Sequence, residues 1–217
     1  ITVEKVRVQN DGYAVVWPSQ GVVTAANYII RDLTIRDVEH VIPTLKTDGF
    51  MISVYLQCAV ANVNVDGVKV YYKDVSATPT GNSYAVRLDG LTNGPCSIKN
   101  VSANEIGSII GVQISTSSPP FSDDFLVLDG LSAENCYCVA SIYSQIGISI
   151  NNVKCATIAA DAAILLTSAG SRTPARAYIG DNFYTSPTKL VVKRTNFTSL
   201  LDGRFPGLKR RLSALSL

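Results

Sequence analysis

The sequence predicts an all-β protein: a right-handed, single-stranded parallel β-helix of about seven coils with a short irregular or helical C-terminal tail. Three observations predict this fold. Apolar and polar residues alternate along most of the chain, a pair of turn residues recurs inside that alternation, and helical spacing is almost absent before residue 195. The 217 residues are 47% hydrophobic and 17% charged, which excludes a disordered chain.

The alternation contains a repeated template, in which two apolar positions precede a pair of turn-like residues and two more apolar positions follow it. Copies begin at Ile1, Tyr28, Val63, Cys96, Leu126 and Ile148, and a degenerate copy follows Tyr178. The apolar residues directly after the turn pair are the anchors of the pattern: Val6, Leu33, Val68, Val101, Leu131, Val153 and Phe183.

The turn pair explains why the chain should wind. Alternation places one row of side chains inward and the other outward. The two turn residues interrupt the alternation without moving the apolar set to the other face, which requires a corner with positive φ. Asp, Asn and Gly tolerate this conformation, and they occupy the corner as Asp32, Gly67, Asn100, Gly130 and Asn152. A strand that bends once per repeat cannot stay in a flat sheet, so successive coils stack.

A further apolar strand is predicted between successive anchors, at residues 14–17, 50–54, 84–88, 110–114, 139–143, 163–166 and 190–192. A β-sandwich or jelly roll has a similar number of strands, but it does not predict the same template repeated in one register. A leucine-rich repeat needs a helical half and tighter spacing.

Variation in repeat length is concentrated in four segments rich in Pro, Ser, Thr and Gly, at residues 43–49, 76–83, 117–124 and 169–176. These segments are predicted loops. Residues 1–195 form the predicted β-helix domain, and we expect it to be truncated at its N-terminus because the chain opens in mid-strand. Residues 196–217 carry leucines at helical spacing and are predicted to be a cap, a linker or an oligomer contact.

Composition excludes several other classes of function. No apolar run is long enough to span a membrane, and a net charge of +2 does not favour a nucleic-acid partner. The five cysteines are odd in number and widely spread, so they are predicted to be buried thiols rather than disulfides or metal ligands. The single histidine, His40, is expected to follow a strand, and it argues against a Ser-His-Asp triad. No cofactor is expected.

Outward positions beyond the anchors are predicted to form one broad polar face. Arg36, Tyr71, Asn104 and Glu134 stand three positions past their anchors, and Asp37, Tyr72 and Glu105 stand four positions past. Neighbouring coils are ~4.8 Å apart, so carboxylates on this face would be roughly 5–10 Å apart, a range that overlaps the separations used in glycoside hydrolysis.

Glu105, Glu134 and Asp37 are therefore the candidate catalytic residues. The alternative is that they are ordinary solvated charges on the surface of the protein. Tyr71 and Tyr72 suit stacking on sugar rings, and Arg36 and Asn104 would bind the same substrate. A second candidate pair, Asp123 and Asp124, lies in the loop at residues 117–124.

The corner pairs Asp66-Gly67, Asp129-Gly130 and Asn151-Asn152, with Asn100 in the equivalent place, resemble the coils of the pectate-lyase-like parallel β-helix superfamily. Irregular coil lengths and an outer face rich in Ser, Thr and Tyr are most similar to bacteriophage tailspikes and related receptor-binding proteins. The resemblance covers residues 1–195 and is one of pattern, so no catalytic residue is carried over from it. The calcium-binding aspartate cluster of pectate lyases is not evident.

This resemblance implies a homotrimer on the virion tail that binds, and often cleaves, a bacterial surface polysaccharide such as capsule or O-antigen. Two other classes stay open. One is a non-catalytic structural or receptor-binding spike on the same scaffold, and the other is a secreted cell-wall polysaccharide hydrolase or lyase.

Overall fold

A computed structural model shows an all-β chain with parallel strands in two sheets, which is compatible with the predicted parallel β-helix. It describes residues 1–9, 15–17, 29–43, 52–57, 59–72, 83–89, 91–104, 108–113, 125–143, 147–156, 158–160, 162–167, 177–180, 183–184 and 190–195. These residues include no helix, and so none that could cross a membrane. The predicted tail at 196–217 and most of the four predicted loops lie outside them.

From residue 29 to residue 179 the chain alternates between the two sheets. The first sheet contains β1 (Thr2–Gln9), β2 (Ile29–Ile42), β4 (Ala59–Tyr72), β6 (Leu91–Asn104), β8 (Phe125–Glu134), β10 (Gly147–Cys155), β12 (Ala177–Ile179) and β13 (Phe183–Tyr184). The second contains β3 (Ile52–Leu56), β5 (Tyr84–Leu88), β7 (Ser108–Gln113), β9 (Cys138–Tyr143), β11 (Ala162–Thr167) and β14 (Leu190–Thr195).

Each sheet grows by adding the next strand beside the previous one. The order in the first sheet is β1-β2-β4-β6-β8-β10-β12, with β13 also on β10. The order in the second is β3-β5-β7-β9-β11-β14, and the pairs in both sheets are parallel. The predicted strands between the anchors correspond to β3, β5, β7, β9, β11 and β14 within a few residues.

Six strands of the first sheet, β1, β2, β4, β6, β8 and β10, bend without ending, whereas the degenerate copy around Tyr178 forms two separate strands, β12 and β13. All five predicted corner residues have positive φ. Equivalent positions on consecutive strands hold Lys5 (56°), Asp37 (55°), Gly67 (74°), Asn100 (53°), Gly130 (67°) and Asn152 (50°). Parallel pairing continues on both sides of the corner, so the two short strands predicted around each corner are one bent strand.

The predicted register of the second copy is wrong by five residues. Val6 pairs with Val38, which in turn pairs with Val68, whereas Leu33 pairs with Val63. The segment has two corners, at Asp32 and Asp37, and the motif Ile-Arg-Asp precedes an apolar residue at both. Local pattern cannot choose between two such corners, because only the pairing of the neighbouring strands distinguishes them.

The apolar core lies between the two sheets. One buried cluster contains Ile35, Val65, Ile98, Leu128 and Ile150, which pair along the first sheet, together with residues of the second sheet. Fully burying each such side chain contributes about 1.5–3 kcal/mol. The predicted buried thiols are confirmed for the four cysteines described, Cys96, Cys136, Cys138 and Cys155. Burial raises the pKa of Cys96 to about 12.

His40 does not follow a strand, as the sequence predicted, but lies within β2 in an inward row. It pairs with Val8 and Val70 and is fully buried. Its Nδ1 lies 2.8 Å from Oγ of Ser53, another buried residue. The bond satisfies two polar groups that would otherwise be costly inside the core.

Two corner substitutions should have different effects on the free energy of unfolding. Gly130→Ala places a Cβ 2.8 Å from Oδ1 of Asn100 at a positive φ, so we expect it to lower the free energy of unfolding by about 1–2 kcal/mol. Lys5→Gly removes the steric cost of positive φ at an exposed corner, so the free energy of unfolding should be unchanged or higher. Urea denaturation measures both, and equal losses in the two variants would contradict the role assigned to the corner.

Candidate functional site

The structure brings together three of the predicted site residues on the first sheet. Tyr71 on β4 pairs with Asn104 on β6, and Asn104 pairs with Glu134 on β8. Parallel strands are ~4.8 Å apart, so the three residues form an evenly spaced row. We call Tyr71, Asn104 and Glu134 the first-sheet row.

A carboxylate that the sequence did not single out borders this row. The Tyr71 hydroxyl donates a hydrogen bond to Oε1 of Glu39 at 2.7 Å, and Arg7 forms an ion pair with the same carboxylate at 3.0 Å. The hydrogen bond to Glu39, with burial and the charge of Glu39, raises the pKa of Tyr71. Glu39 was missed because the wrong register of β2 placed Arg36 and Asp37 at this end of the strand.

Asn104 carries an unpaired polar atom. Its Oδ1 is buried, and no group in the described part of the chain donates a hydrogen bond to it. A buried amide oxygen without a donor costs about 1–3 kcal/mol. A bound water, ion or ligand that donates to this oxygen would remove the cost.

Arg36 and Asp37 lie at the corner, away from the first-sheet row. Arg36 pairs with Glu4 and Asp66 across the strands and forms an ion pair with the Glu4 carboxylate. Asp37 is one of the residues with positive φ, and a Cβ on Gly67 would lie 3.3 Å from its Oδ1. Both side chains therefore have a structural explanation in the corner.

The separation of the described carboxylates bears on catalysis. Asp37 is on β2 and Glu134 is on β8, which are three strand spacings apart in the sheet. Three spacings amount to roughly 14 Å, whereas acid pairs in glycosidases are about 5–9.5 Å apart. Asp37 is therefore too far from Glu134 to act with it as an acid pair.

The other predicted site residues add little to this geometry. Tyr72 ends β4 opposite Ile42. Glu105 on the predicted polar face, and the second candidate pair, Asp123 and Asp124, lie outside the described residues, so their roles stay predictions. Within the described part of the chain, no group of three or more His, Cys, Asp or Glu residues could hold a metal ion.

A second group of side chains, which the sequence did not point to, lies on the second sheet. We call it the Trp17 cluster, and it consists of Trp17, Tyr55, Tyr84, Arg87 and Asp89. Tyr55 and Arg87 pair across β3 and β5, and Val16 forms a parallel bridge with Val54 that places Trp17 beside Tyr55. Because Val54 belongs to the core, alternation places Tyr55 on the opposite face of the strand.

The aromatic rings and the guanidinium of the Trp17 cluster stack on one another. The ring centroids of Trp17 and Tyr55 are 5.8 Å apart at an interplanar angle of 22°. Cζ of Arg87 lies 5.7 Å from the centre of the Tyr55 ring and 5.1 Å from that of Tyr84. Each contact of this kind contributes about 0.5–1.5 kcal/mol beyond area burial.

Gly111 provides the space for the Tyr84 ring, because a Cβ at this position would lie 2.4 Å from Cδ1 of Tyr84. Gly111 is the residue of β7 that pairs with Arg87 of β5. The Tyr84 ring therefore occupies the space beside Arg87 that a side chain at position 111 would otherwise fill. Burial raises the pKa of Tyr84, and the charge of Arg87 opposes that shift.

Asp89 connects the polar atoms of the Trp17 cluster. Its Oδ1 accepts a hydrogen bond from Nε of Arg87 at 2.7 Å, and its Oδ2 accepts one from the Tyr55 hydroxyl at 2.6 Å. The side chains of Arg87 and Asp89 are only 12% and 16% exposed. Burial lowers the pKa of Arg87, but the hydrogen bond and charge of Asp89 outweigh it, and the net shift is upward.

Sequence reasoning missed this cluster because its members are far apart in the chain and belong to no repeated motif. The available signal was the single Trp of the sequence, at the end of a predicted strand. Alternation shows which residues share a face of one strand, but it does not show which strand lies alongside.

Comparison of the chain with protein-family models, with curated proteins and with solved structures finds no match. The two-sheet parallel architecture and the two surfaces described above are therefore the observations from which function is argued.

The ion pair in the Trp17 cluster should stabilise the fold more than the exposed pair at the corner. Asp89→Asn leaves Arg87 without its counter-ion in a mostly buried position, so we expect a loss of about 3 kcal/mol in the free energy of unfolding. Glu4→Gln removes the exposed ion pair to Arg36 and should cost at most about 1 kcal/mol. Urea denaturation of both variants tests this difference, and similar losses would contradict it.

Proposed function

We propose that the chain is a right-handed, single-stranded parallel β-helix of about seven coils. The main path of the first sheet contains seven strands, and the chain visits the second sheet between them, which supports one coil per strand of that path. Crossover connections between parallel strands are right-handed in about 98% of cases, which supports the handedness.

We further propose that this β-helix is a tailspike-like protein that binds bacterial surface polysaccharide. A polysaccharide repeats along its length, and its hydroxyl groups are hydrogen-bond donors and acceptors. The stacked strands present polar side chains at a regular spacing, so the two periodic surfaces can be matched over several contacts.

The observation that carries this proposal is the first-sheet row. Tyr71, Asn104 and Glu134 occupy the same position on three neighbouring strands and offer a hydroxyl, an amide and a carboxylate in sequence. The Asn104 side chain is partly exposed but its Oδ1 is buried, so a ligand hydroxyl donates to this acceptor once the amide turns toward it, which would offset the cost of the unpaired atom.

Binding without cleavage is the second candidate function, and the carboxylate geometry favours it. Among the described candidates, Asp37 and Glu134 are too far apart to serve as acid and base. Depolymerisation by this surface therefore depends on Glu134 acting with Glu105. A place on the virion tail as a homotrimer follows from the resemblance of the coils to tailspikes.

Truncation of Asn104 should weaken polysaccharide binding without destabilising the protein. Asn104→Ala removes the proposed acceptor together with an unsatisfied buried atom, so the melting temperature should be unchanged or higher. We expect binding to purified capsular and O-antigen polysaccharides, measured by co-sedimentation, to be about tenfold weaker. Thr34→Ala, on the far side of the corner, is the matched control and should bind normally.

Wild-type protein that binds no polysaccharide in such a panel would overturn the proposed function. Equal binding by wild type and Asn104→Ala would remove the first-sheet row as the binding surface.

Cleavage has a separate test. If the bound polysaccharide is depolymerised, Glu134→Gln should abolish the release of reducing ends while leaving binding and the melting temperature unchanged, because the substitution removes a proton donor or acceptor with little change in shape. Glu105→Gln should have the same effect. Release at the wild-type rate by both variants would reject these residues, and no release by the wild type would establish the non-catalytic spike.

A further inference from the structure

We propose that Trp17 forms a binding platform for an uncharged pyranose unit on the second sheet, apart from the first-sheet row. The inference rests on the proposed function for the class of ligand, but not for the location of the site. It is carried by the exposure of the Trp17 ring, by the contacts that hold this ring in place, and by the balanced charges of its described neighbours.

The Trp17 ring is exposed in a way that is unusual for this protein. Among the described residues, Trp17 is 48% exposed, and the one other exposed large hydrophobic residue is Ile1. A sugar ring presents a flat face of C–H groups, which packs against an aromatic face in the same way as other apolar surfaces do.

Several contacts fix the ring despite this exposure. The backbone N–H groups of Val15 and Val16 both donate to the Ser53 carbonyl at 3.0 Å, and Tyr55 N–H donates to the Val16 carbonyl at 2.8 Å. The indole N–H of Trp17 donates to Oε1 of Gln57 at 3.1 Å. An aromatic group held in place before binding loses little conformational entropy when a ligand arrives.

The bracing extends behind the ring. Tyr55 supports one face of Trp17, and the Tyr55 hydroxyl is itself bonded to Asp89. Tyr55 is 3% exposed, so this support is part of the folded body of the protein. The platform is therefore attached to a rigid strand of the sheet.

Charges near the platform compensate each other. Gln57 is neutral and offers an amide at the edge of the indole, while Arg87 and Asp89 form an ion pair. An anionic sugar such as a uronic acid would need an uncompensated cation, which this surface does not provide among its described residues. The surroundings therefore favour an uncharged pyranose, and its binding should depend little on salt.

The size of the exposed surface favours a sugar over a protein partner. A buried aromatic side chain covers about 150–250 Å², whereas a stable protein interface needs about 800 Å² from each partner. Since the described neighbours of Trp17 are polar or buried, its ring supplies a patch large enough for one sugar ring but too small for a subunit contact.

Intrinsic fluorescence tests the proposal directly, because the sequence contains one Trp. The full chain is titrated with neutral dextran and mannan, with purified neutral O-antigen polysaccharides, and with polygalacturonate, in which every unit is a uronate, as the acidic comparison. We expect a neutral polysaccharide to shift the Trp emission and to protect it from acrylamide quenching equally at low and high salt. Polygalacturonate should have no such effect.

Variants then separate this site from the first-sheet row. Trp17→Ala should weaken co-sedimentation with the neutral polysaccharide about tenfold, and Trp17→Phe should retain most of the binding. Thr34→Ala, which lies outside both surfaces, serves as the control. Full binding by Trp17→Ala alongside weakened binding by Asn104→Ala overturns the platform and leaves the proposed function standing.

Two further outcomes are decisive. If no polysaccharide binds the wild-type chain, the platform and the proposed function are both overturned. If Trp17→Ala lowers the molecular mass measured by light scattering from that of an oligomer to that of one chain, Trp17 lies in a subunit interface and the platform is overturned. An unchanged mass together with weaker binding supports the platform.

Discussion

The residue with left-handed backbone conformation inside each of the six long strands of the first sheet, β1 to β10, is the constraint on which the rest of the structure depends. It lets a strand change direction while its apolar side chains stay on the inner face and its parallel pairing continues. A non-glycine residue in this conformation costs about 1–2 kcal/mol. At several corners, hydrogen bonds between neighbouring strands offset that cost: Asn100 donates to Asp66 at 2.7 Å, and Asn152 donates to Asp129 at 2.6 Å.

Alignment of the corners places like residues above one another, and this decides the character of the interior. Aliphatic side chains repeat along the inward rows, so a polar group within such a row needs a partner from the opposite sheet. His40 has one in Ser53. Cys96 occupies an inward position as a neutral thiol, because burial strongly disfavours its thiolate.

The same alignment creates both candidate surfaces. On the first sheet it turns single polar residues into an evenly spaced row, and on the second sheet it stacks two aromatic rings and a guanidinium across neighbouring strands. The two surfaces differ in chemistry. The first-sheet row offers hydrogen-bonding groups, whereas the Trp17 cluster offers an apolar face held by a compensated ion pair. A polymer of sugar rings has both kinds of surface, hydroxyl edges and C–H faces.

The sequence by itself determined the all-β class, the position of most strands and five of the residues with positive φ; Lys5, Asp37, Asn62 and Asn135 were not predicted. These properties are local, because alternation and turn chemistry are written into a few consecutive residues. Asp32 and Asp37 mark the limit of that information: both follow Ile-Arg and both have positive φ, yet only Asp37 aligns with Gly67. A local pattern carries no record of the partner strand.

The tertiary structure alone decided which side chains meet. It placed Arg36 and Asp37 at the corner and Glu39 beside Tyr71. It also brought together the five members of the Trp17 cluster, which come from three separate segments of the chain. These contacts depend on the register between strands that are about thirty residues apart in the sequence. That register is set by the packing of all inward rows together, because sliding one strand by a single residue would turn its apolar side chains away from the core.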